Sequence, residues 1–235
     1  GPADGDPTKV GVALVDVLTG KDAVIGIMAA LADRERTGLG QHVEVNLLSS
    51  LLGGLANQAS AYLSTGVAPT RLGNRHPSIA PYETLRCGDG LLAVACGNTA
   101  QFVRLCRAVG LAELADDPRF ATNADRVEHR AELARALEAG LTRHGARHWM
   151  NVLTEADVPV GVVGDLGDAI RRAEELGLRP TLDLPAPHPP QIRHPVTYSR
   201  SATRVPTPPP ALGEHDDQVR RWLAGAPVRP GAADD

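Results

Sequence analysis

Residues 20–36 make a segment that is apolar nearly all round. Ala23, Val24, Ile25, Ile27, Met28, Ala29, Ala30 and Leu31 leave no polar face until Asp33, Arg34, Glu35 and Arg36 close it. At the helical period such a segment has no side suited to water, so it calls for a helix buried between layers. Gly38 stands where a C′ residue belongs. The TGLGQ turn leads into His42 to Leu47, whose polar–apolar alternation reads as a strand. A short apolar, strand-like run (Val10 to Val15) precedes the helix, and a second apolar helix, roughly 48–64, follows. Strand, helix, strand, helix is the order of an α/β layer.

The rest of the chain changes in character. Residues 66–82 (GVAPTRLGNRHPSIAPY) are rich in Pro and turn formers and read as a loop or linker. Glu83 to Arg86 and Leu91 to Ala95 read as strands, joined by Cys87-Gly88-Asp89-Gly90, whose Asp-Gly pair predicts a hairpin. A helical block runs from Gln101 to about Gly140, interrupted at DDPRF, where Pro118 opens a new turn. Shorter helices follow over His148 to Ala156 and Asp168 to Leu176. The Pro-rich stretches PAPHPPQIRHPV and TRVPTPPPALGEH predict an extended tail that runs over a surface.

Composition limits the function classes. Apolar residues make up 43% of the 235, but aromatics only 3%, so the core is one of Leu, Val and Ala. Ala, Gly, Arg and Pro are abundant and Lys occurs only at 9 and 21, which points to a GC-rich bacterial gene. A net charge of −4, mixed along the chain, argues against nucleic acid as a partner. Cys87, Cys96 and Cys106 are odd in number and lack ligand spacing, so neither a disulfide framework nor a metal site is expected. With no signal peptide and no membrane-length apolar run, the expected setting is the cytoplasm, away from any membrane.

Few residues stand out as chemistry. Asp16, between the apolar run and the helix, reads by position as an N-cap, yet a carboxylate there can also act as a nucleophile. His144 and His148 share an i, i+4 face but have no third ligand in view. Cys96 and Cys106 read as small core hydrophobes. The charges from Arg126 to Arg135 read as a solvated helix face, and Gly161 as part of a strand or turn.

Six motifs, taken in order, carry a resemblance: GVALVDVLTG, IMAALADRERTGLGQHVEVNLLSS, GNRHPSIAPYETL with Asp89-Gly90, DDPRFATNADRVEHR, ADVPVGVV and LGEHDDQV. Together they resemble the class III CoA-transferases, the CaiB/BaiF or formyl-CoA transferase family. The resemblance reaches from the first residues almost to the last but covers only the latter part of the family's length. It implies an α/β fold: part of a Rossmann-like large domain plus a small α+β domain, in an interlocked-dimer CoA-transferase architecture. On that pattern 1–66 is the second half of the large domain, and 67–178 the linker and small domain. Residues 179–235 are the Pro-rich return crossing. The N-terminal CoA-binding half is expected to lie outside this chain, with a homodimer or that missing half as partner.

The resemblance also implies the chemistry. Asp16 matches the family's nucleophile, which attacks an acyl-CoA thioester to give an aspartyl-acyl anhydride and later an aspartyl-CoA thioester. Acyl-CoA and a carboxylic acid are the implied partners, with coenzyme A as substrate and no cofactor. Gly73, Asn74 and His76 fall in the loop that covers the family's active site, where Asn74 and Arg75 suit an acceptor carboxylate, although turn chemistry also explains Asn74. The glycine run that some members carry there is absent, which argues against formyl-CoA or oxalate specificity. Two other readings stand beside transfer. One is an α-methylacyl-CoA racemase-like enzyme pairing Asp16 with an upstream His. The other is a truncated or split subunit, inactive without its N-terminal half.

Overall fold

The computed structural model describes residues 1–201 and 206–225. The chain divides into two compact units, Gly1–Val163 and Gly164–Asp235.

The first unit opens with three helices. α1 (Leu14–Thr37) is capped by Ala13 and ends at Gly38, whose φ of 73° lets its N–H reach the Arg34 carbonyl. It begins six residues before the expected start at 20, and the expected strand over Val10 to Val15 does not form. A strand needs a neighbour to hydrogen-bond with, and among the described residues none lies beside this run. The expected strand from His42 to Leu47 is absent for the same reason; residues 39–46 are irregular. Asn46 then caps α2 (Leu47–Gly54) by accepting the Ser49 N–H at 2.9 Å. The single helix expected over 48–64 is two, because the chain breaks at Gly53-Gly54-Leu55. α3 (Ala56–Thr65) restarts with Ala56 at φ 42°.

The deepest correction concerns α1 itself: none of its residues is buried. Val24, Ile25, Ile27 and Met28 are 50–66% exposed. α2 is its principal neighbour and covers one side only. The two meet closely at Gly54, where a Cβ would stand 2.9 Å from Leu18. They are pinned by Ser50, whose hydroxyl donates to Asp22 Oδ2 at 2.7 Å.

The core of the unit lies further on. β1 (Tyr82–Arg86), β2 (Leu91–Ala95) and β3 (Val160–Val162) form an antiparallel sheet in the order β1-β2-β3, with Thr84 opposite Ala93 and Ala93 opposite Gly161. The expected hairpin forms, closed by Cys87 N–H to Gly90 C=O at 2.8 Å. One face of the sheet carries Leu85, Leu92 and Val94 into a core shared with α4 (Thr99–Val109), α7 (Arg130–Leu141) and α8 (Ala146–Glu155). Between α4 and α7 lie α5 (Glu113–Asp116), a 3-10 turn (Pro118–Phe120) opened by Pro118 and capped by Asp117, and α6 (Asn123–Glu128). A capping box of Thr122 and Asp125 starts α6. Cys96 and Cys106 are in the core as expected, and burial pushes both thiols up to about 12.

The second unit holds α9 (Leu166–Glu175), opened by an Asp165–Asp168 capping box. It also holds the two-residue antiparallel pair β4 (Thr181–Leu182) and β5 (Gln191–Ile192), and α10 (Asp216–Leu223). Among its described residues the Pro-rich stretch is otherwise free of regular structure; residues 202–205, and 226–235 of the expected return crossing, lie outside the described residues.

Candidate active site

Asp16 is the third residue of α1, inside its first turn and exposed, not its cap. Ala13 occupies the cap and has no side chain to offer. The positional reading of Asp16 as an N-cap is therefore corrected: its carboxylate makes no capping bond. Leu14 and Val17 N–H find the Val12 and Ala13 carbonyls, at 2.9 and 3.1 Å, while the Val15 and Asp16 N–H groups have no acceptor among the described residues. The positive end of a 24-residue helix thus stands beside an uncommitted carboxylate. Such a terminus supplies donors for a developing oxyanion.

Gly73, Asn74 and His76 share one loop of the same unit. Gly73 adopts φ 63°, a left-handed turn position that suits glycine, and its N–H donates to the Gly1 carbonyl at 3.0 Å. Asn74 Nδ2 donates to Thr84 Oγ1 at 3.1 Å. His76 N–H donates to the Tyr82 carbonyl at 2.9 Å, and its imidazole stacks on the Tyr82 ring with centroids 5.0 Å apart. His76 Nδ1 accepts the Ser78 N–H, so that nitrogen is engaged within the loop. Beside the loop lies a shallow recess of about 500 Å³ over the outer face of the sheet, lined by Asn74, Thr84, Ala93, Ala95 and Gly161 among others. No hydrogen bond or ion pair joins Asp16 to this loop among the described residues.

Beneath the loop lies a cluster that the sequence reading missed. Asn123 Oδ1 accepts the Ala80 N–H at 3.2 Å and its Nδ2 donates to the Ser78 carbonyl at 2.8 Å. Arg126 is fully buried; Nε donates to the Ala80 carbonyl at 2.8 Å and Nη1 to the Phe120 carbonyl at 3.0 Å, while the guanidinium lies 4.6 Å from the Phe102 ring centroid. Arg130, 8% exposed, donates from Nη2 to the Ile79 carbonyl at 2.8 Å. The expectation that Arg126 to Arg135 form a solvated face therefore fails at its first two arginines. Both turn inward because the loop offers carbonyls that a forked guanidinium can reach. The available signal was the N-x-x-R-x-x-x-R spacing, which puts all three residues on one side.

Burial draws the pKa of Arg126 and of Arg130 below the ordinary arginine value. Burial also raises the Glu83 carboxyl above its ordinary range, against the opposing pull of Arg130 and Arg75. The Glu83–Arg130 ion pair spans 3.9 Å from Arg130 Nε, too long for a hydrogen bond, and Arg130 Nε has no hydrogen-bond partner among the described residues. Among the described residues no three His, Cys, Asp or Glu side chains gather to hold a metal. His144 and His148 pack ring to ring at 4.2 Å, with Trp149 edge-on to both. No helix is long and apolar enough to cross a membrane among the described residues.

Comparison with known proteins places these features in context. The family described as CoA-transferase family III matches residues 1–216. A succinate–glutarate CoA-transferase of Agrobacterium fabrum is 39% identical over 224 residues, which are 93% of this chain and 56% of that protein. An acetyl-CoA:oxalate CoA-transferase of Acetobacter aceti is 41% identical over 167 residues, 71% of this chain and 43% of that one. The crystal structure of a CaiB/BaiF family protein from Brucella suis superposes with a TM-score of 0.77 at 38% identity, covering 95% of this chain and 58% of its own. The mixed helix-and-sheet architecture is that of these neighbours. The chain spans about half the length of the curated relatives it matches.

Proposed function

The chain belongs to CoA-transferase family III, and from that premise we propose that its protein moves CoA from an acyl-CoA thioester to a carboxylic acid, with Asp16 as the covalent centre. The observation that carries this reading is the uncapped carboxylate of Asp16 at the N-terminus of α1, within a family match that runs through it.

The Asp16 carboxylate attacks the thioester carbonyl, the C–S bond breaks and CoA thiolate leaves, giving an aspartyl-acyl anhydride. The thiolate then attacks the aspartyl carbonyl, releasing the donor acid and leaving an aspartyl-CoA thioester. An acceptor carboxylate attacks that thioester and frees the thiolate again. Attack of the thiolate on the acceptor's acyl carbon yields the new thioester and restores Asp16. Every step exchanges one activated acyl bond for another, so no step has to spend the energy of hydrolysis. The unpaired Val15 and Asp16 N–H groups support the oxyanion of each tetrahedral intermediate.

The acceptor in this reading is a short dicarboxylic acid. Two relatives carry succinate, glutarate or oxalate in their names, and Asn74 and Arg75 of the loop suit a carboxylate. Because one of the relatives is named for oxalate and is 41% identical, the absence of a glycine run around Gly73 is a weak ground for excluding that acid. Gly73, Asn74 and His76 form the substrate-binding loop, CoA is the substrate and no cofactor is required. Residues 1–66, 67–178 and 179–235 serve as large-domain, small-domain and return segments of a homodimer in the cytoplasm.

Incubation of the intact enzyme with succinyl-CoA, hydroxylamine trapping and peptide mass analysis tests the assignment. A hydroxamate on Asp16 is expected, with Asp16→Asn losing both the adduct and turnover by about 10³-fold or more, the scale of removing a covalent nucleophile. Full turnover in Asp16→Asn would refute it.

A further inference from the structure

We propose that Asn123, Arg126 and Arg130 are positioning residues for acceptor binding: they clamp the backbone of Ser78–Ala80 and so fix the loop that carries Gly73, Asn74 and His76. This rests on the transferase reading for its consequence, but the clamp itself stands on geometry. Four hydrogen bonds from three side chains reach three consecutive residues. Asn123 takes the Ala80 N–H and the Ser78 carbonyl, Arg126 the Ala80 carbonyl, and Arg130 the Ile79 carbonyl. An i, i+3, i+7 spacing across α6 and α7 brings them to one side.

The chemistry of the cluster favours fixation over mere stability. Arg126 is a fully buried cation with no carboxylate in pairing distance among the described residues. Taking such a charge out of water is costly, and an apolar side chain of like volume would fill the space at lower cost. What an apolar residue cannot do is bind carbonyls at fixed positions. The planar guanidinium links the Ala80 carbonyl, ahead of β1, to the Phe120 carbonyl, and stacks on Phe102 of α4. The loop is thereby tied to the helical core at Ser78–Ala80. At its other end it is held to β1 through His76 N–H and Asn74 Nδ2. Asn74, part of that second anchor, is presented at the rim of the recess. None of the three clamp residues lines that recess, so Asn123 and Arg126 act on a ligand through the loop, and Arg130 through the loop and through Glu83, which lines the recess.

The test uses Asn123→Ala and the pair Arg130→Met and Arg130→Lys in the intact enzyme. Asn123→Ala and Arg130→Met should raise the KM for the acceptor acid about tenfold, the worth of one or two hydrogen bonds. The rate of adduct formation on Asp16 from acyl-CoA should stay unchanged, and Arg130→Lys, which keeps a donor for Ile79, should recover most of the loss. Hydrogen exchange at the Ala80 amide should be about tenfold faster in Asn123→Ala. If Arg130→Met does not fold, Arg130→Lys and Asn123→Ala carry the same two readouts. Unchanged exchange at Ala80, or an acceptor KM that stays at the wild-type value in a folded variant, overturns the proposal. Equal losses in donor and acceptor steps overturn it too, since they mark a purely structural role. Absence of any Asp16 adduct in the wild type sinks the transferase reading instead, and the exchange measurement distinguishes the two failures.

Discussion

Glu83 and Arg130 show how one residue's surroundings decide its charge behaviour. Both side chains are 9% exposed, and their atoms stand 3.9 Å apart, so neither compensates the other's lost hydration well. Burial raises the Glu83 pKa from its ordinary 4.5, which means that the native state holds the proton more tightly than the unfolded chain. Its contribution to stability is complete below pH 4.5 and is lost as pH rises through the raised native value. Glu83→Gln has no such proton, so its stability relative to wild type should climb with pH above 4.5. Urea unfolding of both proteins from pH 4 to 7 measures this; a flat or falling difference would contradict it. Neither the burial of Arg130 nor that of Arg126 was legible in the motif DDPRFATNADRVEHR, because alternating charges look the same on a solvated helix and on one that turns its arginines toward a loop. Cys96 and Cys106, by contrast, read correctly as core, since a thiol without ligand spacing has few other uses.

At the scale of elements, the parts that read well are those whose signals are local. The Asp89-Gly90 turn, the Pro118 break and the α8 helix all depend on a few consecutive residues and all form. The strands expected at Val10 to Val15 and His42 to Leu47 depend on a neighbour, and without one beside them among the described residues they stay unpaired. Helix contacts add a finer constraint. Gly140 in α7 is buried, and a Cβ there would stand 2.6 Å from Val109 Cγ1 and 2.8 Å from Leu111 Cδ1. Gly140→Ala should therefore destabilise the fold by about 1–3 kcal/mol through overpacking, although in an open helix the same change would gain roughly 0.5–1 kcal/mol. A thermal unfolding comparison decides between these signs.

The whole first unit has an uneven distribution of apolar surface. Its core, around Leu85, Leu92, Phe102, Leu133 and Leu137, is closed. The helices α1, α2 and α3 leave Val24, Ile25, Met28, Leu48, Leu52 and Leu63 each more than half exposed. Large apolar side chains left exposed in such number on neighbouring helices mark a surface suited to a partner rather than to water. The 235-residue chain by itself should accordingly sediment as species heavier than its 24.7 kDa, and Ile25→Glu with Met28→Glu should shift it toward monomer. A monodisperse monomer before substitution would contradict the reading. The sequence by itself determined the family, the order of the motifs, the hairpin and helical block of the core, and Asp16 as the carboxylate to watch, because short-range pattern carries all of these. It took the folded chain to show that Asp16 is free of a capping bond and that Arg126 and Arg130 face inward onto the Ser78–Ala80 backbone. The physical reason is that the start of α1 is fixed only on folding, and that the carbonyls reached by Arg126 and Arg130 lie 46 and 51 positions away, which no local pattern encodes.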